Sequence, residues 1–455
     1  MFSPERIVMA QDVLVNPKDG HAASARRGVP EGRLTARWRA RLRRFMQRIV
    51  PPGLPHERQV WLDSPEAIDR FYQDLDDPAK DFGDVEYVCV TEAMVDVYDV
   101  IEFFARMRRR LPPRARVAYS NFNWLLMPLF RIGGLLGLSR NRPFGNFFRN
   151  DDIDAFVEMA GWENIRRYQR FLLPVHVPVA SWLLDGILAR LPVFRLFALN
   201  TLFVARMRPE QPGEHCTTSV LIPCKNEEDN VEAAVRRVPD FGRQVELVLI
   251  NDQSTDATED RIRQAQAQHP ERTIRLARGP GRGKAEAVRA GMAAATGDLC
   301  MILDADLTVV PEDLPQFYEA MRARRADFIH GTRFVYPQEQ GAMRFANLLG
   351  NVFFSVLFSY IVDARTTDTL CGTKVYWRRD WPLFEAMRTN LEGKDLWGDY
   401  NLIFGAARYG LKIAQLPVRY FERVAGVSKM TKRARNGLIM LRVCWHGLWT
   451  VKFFW

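Results

Sequence analysis

Short apolar runs alternate with longer amphipathic segments along the second half of the chain. The pattern predicts strands over 218–223, 245–251, 273–277 and 299–304, and helices over 227–237, 256–268, 284–295 and 312–324. Strands and helices that alternate at these lengths are typical of a mainly parallel sheet with helices on both faces. The predicted fold class is therefore α/β, and ligands of such a sheet bind beyond the carboxyl ends of its strands.

A second, less regular α/β pattern occupies the first half. It predicts strands over 87–90 and 116–120, with helices over 100–110 and from Asn150 onward and a closing segment over 203–206. The segment 208–213 (RPEQPG) breaks the periodicity and is typical of a linker. We expect four parts: a basic, partly disordered segment over 1–80, an α/β domain over 81–209, a second α/β domain over 217–430 and a C-terminal helix over 431–455.

Two apolar stretches resemble membrane segments without meeting the criteria for a span. The stretch 437–455 has about the length of a span but contains Arg442 and His446, so it predicts a helix lying in the headgroup plane. A helix of the protein core is the alternative. The stretch 345–362 carries Asn347 and Asn351 on one face, which fits either a buried or an interfacial helix.

The composition excludes several classes of protein. With 455 residues and 47% apolar residues, the chain is not disordered throughout. Its six cysteines are scattered, without a CxxC pair or histidines at ligand spacing, which indicates neither a zinc site nor a disulfide framework. The first thirty residues show no secretory signal, so we expect a protein of the reducing cytoplasm.

The net charge of +10 is concentrated at the two ends of the chain. Residues 24–50 contain nine arginines and one acid, and residues 423–455 contain seven basic residues and no acid. Such ends suit an anionic surface, either phospholipid or nucleic acid. Without a recognition motif we expect no nucleic acid partner. The arginine-rich part is then either a disordered tail or an amphipathic helix on anionic lipid.

Acidic residues follow the predicted strands of the second half. They lie in the segments 223–228 (PCKNEE), 251–256 (NDQSTD) and 303–307 (LDADL). Asp304 and Asp306, one residue apart at a strand end, can both reach a divalent cation if the backbone turns there. Mg²⁺ or Mn²⁺ prefers such oxygen ligands together with phosphate oxygens, so the pattern predicts a metal-diphosphate site. A solvated loop or a helix cap is the alternative.

Seven ordered motifs resemble the family 2 glycosyltransferases of the GT-A nucleotide-diphospho-sugar fold. The resemblance covers about residues 217–430 and is closest to the branch that includes the polyprenyl-phosphate sugar synthases. The motifs are IPCKNEEDNV, VLINDQSTDAT, GRGKAEAVRAGMAAATGD, LDADL, HGTRF, TDTLCGTKVYWR and the segment from WGDYN to ERVAGVSK.

The resemblance implies a donor site built from several strand ends and loops. The residues that would bind the nucleotide sugar are Pro223, Lys225, Glu227, Asp252, Lys284, Asp304, Arg344, Arg423 and Lys429. Pro223, Lys225 and Glu227 would line the nucleoside pocket, and Asp252 would bind the base or ribose. Asp304 and Asp306 would bind the metal. Thr308 stands where the family often has a glutamine that also contacts the metal.

The resemblance also implies the catalytic residues. Asp399 occupies the usual place of the general base and Asp368 is a second candidate; a base is needed only if the acceptor is a hydroxyl. Arg333 and Arg344 correspond to arginines that meet donor or acceptor phosphate, and surface arginines are the alternative. The reaction would invert the anomeric centre while the metal neutralises the leaving diphosphate.

The glycine-rich segment 279–283 before Lys284 admits rival interpretations. A Walker A loop requires Ser or Thr directly after the lysine, where this chain has Ala285. It also requires a glycine five residues before the last glycine, where this chain has Arg278. An NTPase is therefore rejected. A dinucleotide or adenosylmethionine loop would follow the first strand of its domain, whereas this loop follows the third.

Residues 82–207 resemble the second half of a class I adenosylmethionine-dependent methyltransferase, a partial Rossmann-like α/β domain. The lead-in at 49–53 (IVPPG) is followed by neither a glycine-rich cofactor loop nor an acidic ribose-binding strand end. The residues between Gly53 and Asp81 are too few for the missing strands and helices. We expect a degenerate domain that binds no adenosylmethionine and serves as a scaffold or docking surface.

Two classes of function remain open. The first is a metal-dependent, inverting glycosyltransferase that moves a sugar from a UDP- or GDP-linked donor to a lipid-linked or polyprenyl-phosphate acceptor. It would be peripheral or monotopic at the cytoplasmic face of the membrane. The second is a non-catalytic, membrane-associated scaffold in which both domains are degenerate. The presence of Asp252, Asp304, Asp306 and Asp399 favours the enzyme.

Overall fold

The computed structural model describes residues 33–93, 97, 99–126, 128, 132, 148–174, 176–191, 193–333, 345–390, 398–421 and 433–453. Within these ranges the backbone forms one sheet of five strands before residue 210 and one sheet of seven strands after it. Most neighbouring strands pair in parallel. The predicted α/β fold class is confirmed.

The first sheet has the strand order β1-β2-β3-β5-β4, and β5 runs antiparallel to both of its neighbours, β3 and β4. Its elements are α1 (Arg33–Ile49), β1 (Gln59–Leu62), α2 (Pro65–Asp76), β2 (Tyr87–Ala93), α3 (Val100–Arg110), β3 (Arg116–Phe122), α4 (Asn150–Met159), β4 (Trp162–Gln169), α5 (Pro178–Leu184) and β5 (Asn200–Met207). Ser64 and Asp99 cap α2 and α3 by accepting hydrogen bonds from backbone N–H groups of the first turns. Helices α2, α3 and α4 contribute to the apolar core on one face of the sheet.

Helix α1 contains most of the described part of the arginine-rich segment. Leu42, Phe45, Met46 and Ile49 are buried and pack against residues of β2 and β5. The apolar side of α1 is therefore part of the protein core, and its arginines, which recur on the remaining faces, are largely directed to the solvent. The sequence left open a disordered tail or an amphipathic helix for this segment, and its described part is a helix.

The second sheet has the strand order β12-β10-β11-β9-β6-β7-β8. Its elements are β6 (Thr217–Cys224), α6 (Val231–Arg237), β7 (Gln244–Asn251), α7 (Thr258–Gln268), β8 (Thr273–Arg278), α8 (Lys284–Ala294), β9 (Leu299–Ile302), α9 (Leu314–Arg322), β10 (Phe328–Thr332), α10 (Phe345–Val362), β11 (Lys374–Trp377), α11 (Trp381–Asn390), α12 (Asp399–Arg408) and β12 (Ile413–Pro417). Apart from β11, which is antiparallel to both neighbours, the paired strands are parallel.

The eight elements predicted for this sheet are all present, with one clear difference in their bounds. The first helix begins at Val231 and not at Glu227. The backbone N–H groups of Glu227 and Glu228 donate instead to Thr258 Oγ1 at 2.9 Å and to Asp256 Oδ2 at 3.3 Å. These bonds to the next strand-end loop replace a first helical turn.

The helices at the end of the chain close the core of the second sheet. The ring of Phe358 on α10 stacks on Phe404 of α12 with a centroid distance of 5.3 Å. Helix α13 (Arg433–Gly447) packs Met440, Val443 and Cys444 into the same cluster and ends in a π-helical turn over Leu448–Lys452. Within the described ranges no helix has both the length and the apolar character that a membrane crossing requires.

Partly buried ion pairs join the two halves of the chain. Asp327, at the start of β10, accepts hydrogen bonds from Arg116 at 2.7 Å and from Arg206 at 2.9 Å. Glu163 on β4 pairs with Lys412, next to β12, at 2.7 Å. Because these groups bury charge, each depends on its partner, and the two sheets are held in one arrangement.

Candidate active site

The carboxyl ends of three parallel strands meet at one edge of the second sheet. Strand β6 pairs in parallel with both β7 and β9, so the segments after Cys224, Asn251 and Ile302 emerge side by side. The acidic segments that the sequence placed after these strands therefore lie at the edge where parallel sheets bind ligands.

Asp252 holds the glycine-rich loop that precedes α8. Its Oδ1 accepts a hydrogen bond from Gly281 N at 2.7 Å, and its Oδ2 accepts one from Gly283 N at 3.1 Å. Both glycines have positive φ, at 75° and 102°, a region that residues without a Cβ enter readily. Lys225 Nζ donates to the carbonyl oxygen of Asp252 at 2.7 Å. The loop and two strand ends form one unit, and the role of Asp252 towards base or ribose stays a prediction.

Pro223 and Glu227 lie on the same strand end as Lys225. Pro223 is half-buried in the last part of β6. The Oε2 atom of Glu227 accepts a hydrogen bond from Asn230 Nδ2 at 2.7 Å. Both residues are thus at the ligand-binding edge of the sheet, and the nucleoside pocket that they would line stays a prediction.

A chain of alternating charges occupies the centre of this edge. Lys284 Nζ lies 2.7 Å from Asp304 Oδ1 and 3.9 Å from Asp399 Oδ1, and Lys374 Nζ lies 3.1 Å from the same oxygen of Asp399. The sequence analysis did not identify Lys374, whose side chain is fully buried. A lysine within an otherwise apolar strand is a signal that could have revealed it, because a buried charge requires a partner.

These contacts keep the two members of the central pair charged. Burial alone would raise the pKa of the Asp304 carboxyl, but Lys284, and then Lys374 and Arg333, hold it below its usual range. Burial would likewise lower the pKa of Lys284, but Asp304 and Asp399 raise it above the usual value. The centre of the site is therefore an ionised carboxylate beside an ammonium group.

A neutral histidine adjoins Lys374. His330 on β10 lies opposite Lys374 in the antiparallel pairing of β10 with β11. Burial, and then the charge of Lys374, lower the pKa of His330 to about 3. The imidazole is therefore uncharged at neutral pH and does not add a second cation beside Lys374.

Thr308 donates two hydrogen bonds to the carboxylate of Asp306. Its Oδ1 accepts hydrogen bonds from Thr308 N at 3.2 Å and from Thr308 Oγ1 at 2.9 Å. Among the described residues no group of three or more His, Cys, Asp or Glu side chains is arranged to hold a metal ion. The donor set of Asp304 and Asp306 nevertheless fits Mg²⁺ or Mn²⁺, which accept few protein carboxylates when phosphate oxygens complete the shell.

Arg333 and Asp368 form a buried, two-pronged ion pair. Arg333 Nε donates to Asp368 Oδ2 at 2.7 Å, and Arg333 Nη2 donates to Asp368 Oδ1 at 2.9 Å. Burial would raise the pKa of the Asp368 carboxyl, but Arg333 holds it below its usual range. The pairing makes Asp368 a weaker proton acceptor, and it fixes the plane of the guanidinium. The remaining predicted site residues, Arg344, Arg423 and Lys429, lie outside the described residues.

Residues 219–381 match the family model described as Glycosyl transferase family 2. This part of the chain is therefore similar to a family 2 glycosyltransferase domain. The match includes the strand ends after β6, β7 and β9, together with Lys284, Asp304 and Lys374. The methyltransferase resemblance of residues 82–207 is not confirmed.

Curated proteins are similar to part of the chain. A dolichol-phosphate mannosyltransferase from Pyrococcus furiosus is 34% identical over 119 residues, which are 26% of this chain and 33% of that protein. An undecaprenyl-phosphate 4-deoxy-4-formamido-L-arabinose transferase from Edwardsiella ictaluri is 34% identical over 106 residues, or 22% of this chain and 33% of that protein. The chain thus matches about a third of the length of these relatives.

Solved structures show weaker similarity. Glucosyl-3-phosphoglycerate synthase from Mycobacterium tuberculosis, bound to phosphoglyceric acid, has a TM-score of 0.38 and 20% identity, with 52% of this chain and 80% of that chain covered. A mannosyltransferase from Pyrobaculum calidifontis, bound to GDP-mannose and Mn²⁺, has a TM-score of 0.32 and 18% identity, with 50% of this chain and 61% of that chain covered.

Proposed function

We propose that the protein is a metal-dependent, inverting glycosyltransferase that uses a UDP- or GDP-linked sugar and a lipid-linked or polyprenyl-phosphate acceptor at the cytoplasmic membrane surface. The observation that carries the proposal is the charge chain of Asp304, Lys284, Asp399 and Lys374 inside the family 2 domain. The names of two relatives, which specify dolichol phosphate and undecaprenyl phosphate, support this class of acceptor.

Asp304 and Asp306 would hold a divalent Mg²⁺ or Mn²⁺ ion. When bound, such an ion neutralises the charge that develops on a leaving diphosphate. Lys284 and Lys374 place two ammonium groups next to Asp304 and Asp399, and they would bind phosphate oxygens or hold the carboxylates in place. The site would thus supply positive charge where the leaving group becomes more negative.

Asp399 is the proposed group that faces the acceptor. If the acceptor is a hydroxyl, Asp399 takes its proton; if it is a lipid phosphate, Asp399 only orients it. Asp368 is less suited because both of its carboxylate oxygens accept hydrogen bonds from Arg333. Arg333, which Asp368 holds in place, would bind phosphate of the donor or acceptor.

We further propose that residues 81–209 are a degenerate methyltransferase-like domain that binds no adenosylmethionine. Its contribution would be structural, since Arg116 and Arg206 of this part hold Asp327 of the transferase part. A calorimetric titration that gave micromolar affinity for adenosylmethionine would reject this role.

The thermal unfolding of the purified chain tests the site directly. UDP, GDP and their sugars are added separately, each with and without Mn²⁺, to the natural protein and to Asp306→Ala. We expect one nucleotide to stabilise the natural protein by about 2.7 kcal/mol at roughly a hundred times its dissociation constant. This gain should require Mn²⁺ and be lost in the variant. If no nucleotide stabilises the protein, the glycosyltransferase proposal is rejected in favour of the non-catalytic scaffold.

Gly372→Ala tests the packing around Asp304. A Cβ at residue 372 would lie 1.9 Å from Asp304 Oδ2, so the carboxylate must move away from Lys284. A displacement of this size should lower the rate of sugar transfer about a hundred-fold, because the reacting groups lose their alignment. The rate is measured with the nucleotide sugar that stabilises the natural protein.

Gly437→Ala is the matched control, because a Cβ at that position meets no atom within 4 Å. It should transfer sugar at the natural rate. Equal rates for Gly372→Ala and the natural protein would show that the position of Asp304 does not matter for the reaction.

A further inference from the structure

Large apolar side chains are exposed in three segments of the described chain. The first is 177–197, the second is α10 and the third is α13 with its π-helical turn. The exposed residues are Val177, Val179, Trp182, Leu183, Val193, Phe194, Leu196, Phe197, Phe353, Val356, Leu438, Leu441, Trp445 and Trp449. Single exposed apolar residues are ordinary, but a concentration of this size indicates a binding surface.

Direct contacts connect the three segments. The hydroxyl of Tyr360, on α10, donates to the carbonyl oxygen of Arg190 at 2.9 Å. The guanidinium of Arg190 lies 5.3 Å from the ring centroid of Phe453, and the rings of Phe453, Trp449 and Trp445 follow each other at 5.6 and 5.7 Å. The three segments therefore adjoin, and we name their exposed apolar side chains together the apolar surface.

Helix α13 is apolar on two opposite sides. Met440, Val443 and Cys444 are buried in the core of the second sheet. Leu438, Leu441, Trp445 and Trp449 recur at intervals of three and four residues and are 38–69% exposed. A core helix accounts for the first side only, so the second side has a different partner.

Positive charge predominates in and around the apolar surface, where Asp363, directly after α10, pairs with Lys452 of the π-helical turn. The three segments, 177–197, 345–362 and 433–452, contain one acidic residue, Asp185. Its carboxylate is fully buried and pairs with Arg41 of α1 at 2.5 Å. Arg195 and Arg442, in contrast, are exposed.

Helix α1 adds further positive charge beside the first segment. Arg41 ties α1 to this region, because it also donates to the carbonyl oxygen of Leu173 at 2.9 Å. Arg37, Arg44 and Arg48 on the same helix are exposed, and the helix contains no acid. An apolar, aromatic area bordered by arginines matches the interface of an anionic bilayer, where rings enter the headgroup region and guanidinium groups meet phosphate.

We propose that the apolar surface, with the bordering arginines of α1, docks the protein onto an anionic lipid bilayer. The segment 177–197 of the first half and α13 of the transferase half would enter the same leaflet together. The proposal rests on the proposed function only in that a lipid-linked acceptor lies in that bilayer. A protein partner or a second copy would be better matched by a surface that exposes charges of both signs. Binding of either one is an outcome of the test.

Sedimentation of the full chain with vesicles tests the proposal. The vesicles contain phosphatidylcholine either alone or mixed with phosphatidylglycerol. We expect strong binding to the mixed vesicles, and binding at least about ten-fold weaker for Trp182→Ser with Phe197→Ser and for Trp445→Ser with Trp449→Ser. Arg195→Glu should weaken binding to the mixed vesicles only.

Met159→Ser is the matched control, since Met159 is 72% exposed on α4, outside the three segments. It should bind vesicles like the natural protein. Undiminished vesicle binding by both double variants, or a dimer that the double variants abolish in the absence of any vesicle binding, would overturn the proposal. Nucleotide-induced stabilisation, measured in the same variants, separates the two hypotheses: its absence rejects the enzyme, whereas vesicle binding alone decides the docking surface.

Discussion

Asp304→Asn is expected to reduce sugar transfer by about a thousand-fold or more. The substitution removes the negative charge of a carboxylate that would hold the metal, and it leaves the Lys284 ammonium without its partner at 2.7 Å. Loss of one preorganised electrostatic group in a transferase site costs roughly a hundred- to a thousand-fold, and here the metal would be weakened as well. The measurement is kcat/KM with the nucleotide sugar that stabilises the natural protein and a polyprenyl-phosphate acceptor.

Asp298→Asn provides the matched control at the opposite end of the same strand. The carboxylate of Asp298 accepts hydrogen bonds from Thr217 N at 3.2 Å and from Thr217 Oγ1 at 2.8 Å, away from the charge chain. Its replacement should alter kcat/KM by less than about two-fold, because it removes no group from the site. A similar small change for Asp304→Asn would exclude Asp304 from catalysis.

Asp327→Asn is expected to destabilise the protein by about 3 kcal/mol. The carboxylate accepts hydrogen bonds from Arg116, from Arg206 and from the backbone N–H of Lys412, at 2.7 to 2.9 Å. The Arg206 side chain is only 4% exposed, so removal of the Asp327 charge leaves a buried guanidinium with Glu163, at 2.7 Å, as its remaining acidic partner. Because the network joins both sheets, urea unfolding should show the loss in the stability of the whole chain.

The ion pairs of Asp327 make this destabilisation depend on pH. Burial would raise the pKa of the Asp327 carboxyl, but Arg116 and Arg206 hold it below its usual value. A lowered folded-state pKa contributes stability above the unfolded pKa of about 4, and this contribution is lost as the pH falls through the folded value. The stability difference between the natural protein and Asp327→Asn should therefore be constant at neutral pH and shrink below about pH 4.

Glu319→Gln is the control for this experiment. Glu319 pairs with Arg322 at 2.7 Å, but its side chain is 52% exposed and the pair is solvated. Pairs of this kind contribute little, so the unfolding free energy should change by less than about 1 kcal/mol. A loss for Asp327→Asn that was equally small, or that did not depend on pH, would contradict the role of the buried network.

The elements of the second sheet were predictable because their signals are local. Strands β6, β7 and β9 contain apolar runs, β8 largely alternates apolar and polar residues, and each following helix has an amphipathic repeat, so both types of signal lie within a short window. The prediction was wrong about the start of α6, because the N–H groups of Glu227 and Glu228 bond to Thr258 and Asp256 on another loop. No window around residue 227 contains those acceptors.

The candidate site divides in the same way. The motifs predicted Asp252, Asp304 and Asp399 as site residues and Asp304 with Asp306 as metal ligands, because positions after strands and in ordered motifs are visible along the chain. The motifs did not show that Asp252 holds the glycine-rich loop, that Arg333 neutralises Asp368 or that Lys374 meets Asp399. These contacts join segments that are distant in sequence.

The sequence by itself determined the α/β class, the alternation of elements in the second half and the family 2 resemblance, because periodicity and motif order are properties of neighbouring residues. Only the tertiary structure decided which charges neutralise each other. Strand β11 runs antiparallel between β9 and β10, which places Lys374 opposite both Ile302 and His330. Lys374 thus lies beside Ile302 of the adjacent strand, and Asp304 follows Ile302 by two residues. Long-range strand order sets such a contact, and no local pattern encodes it.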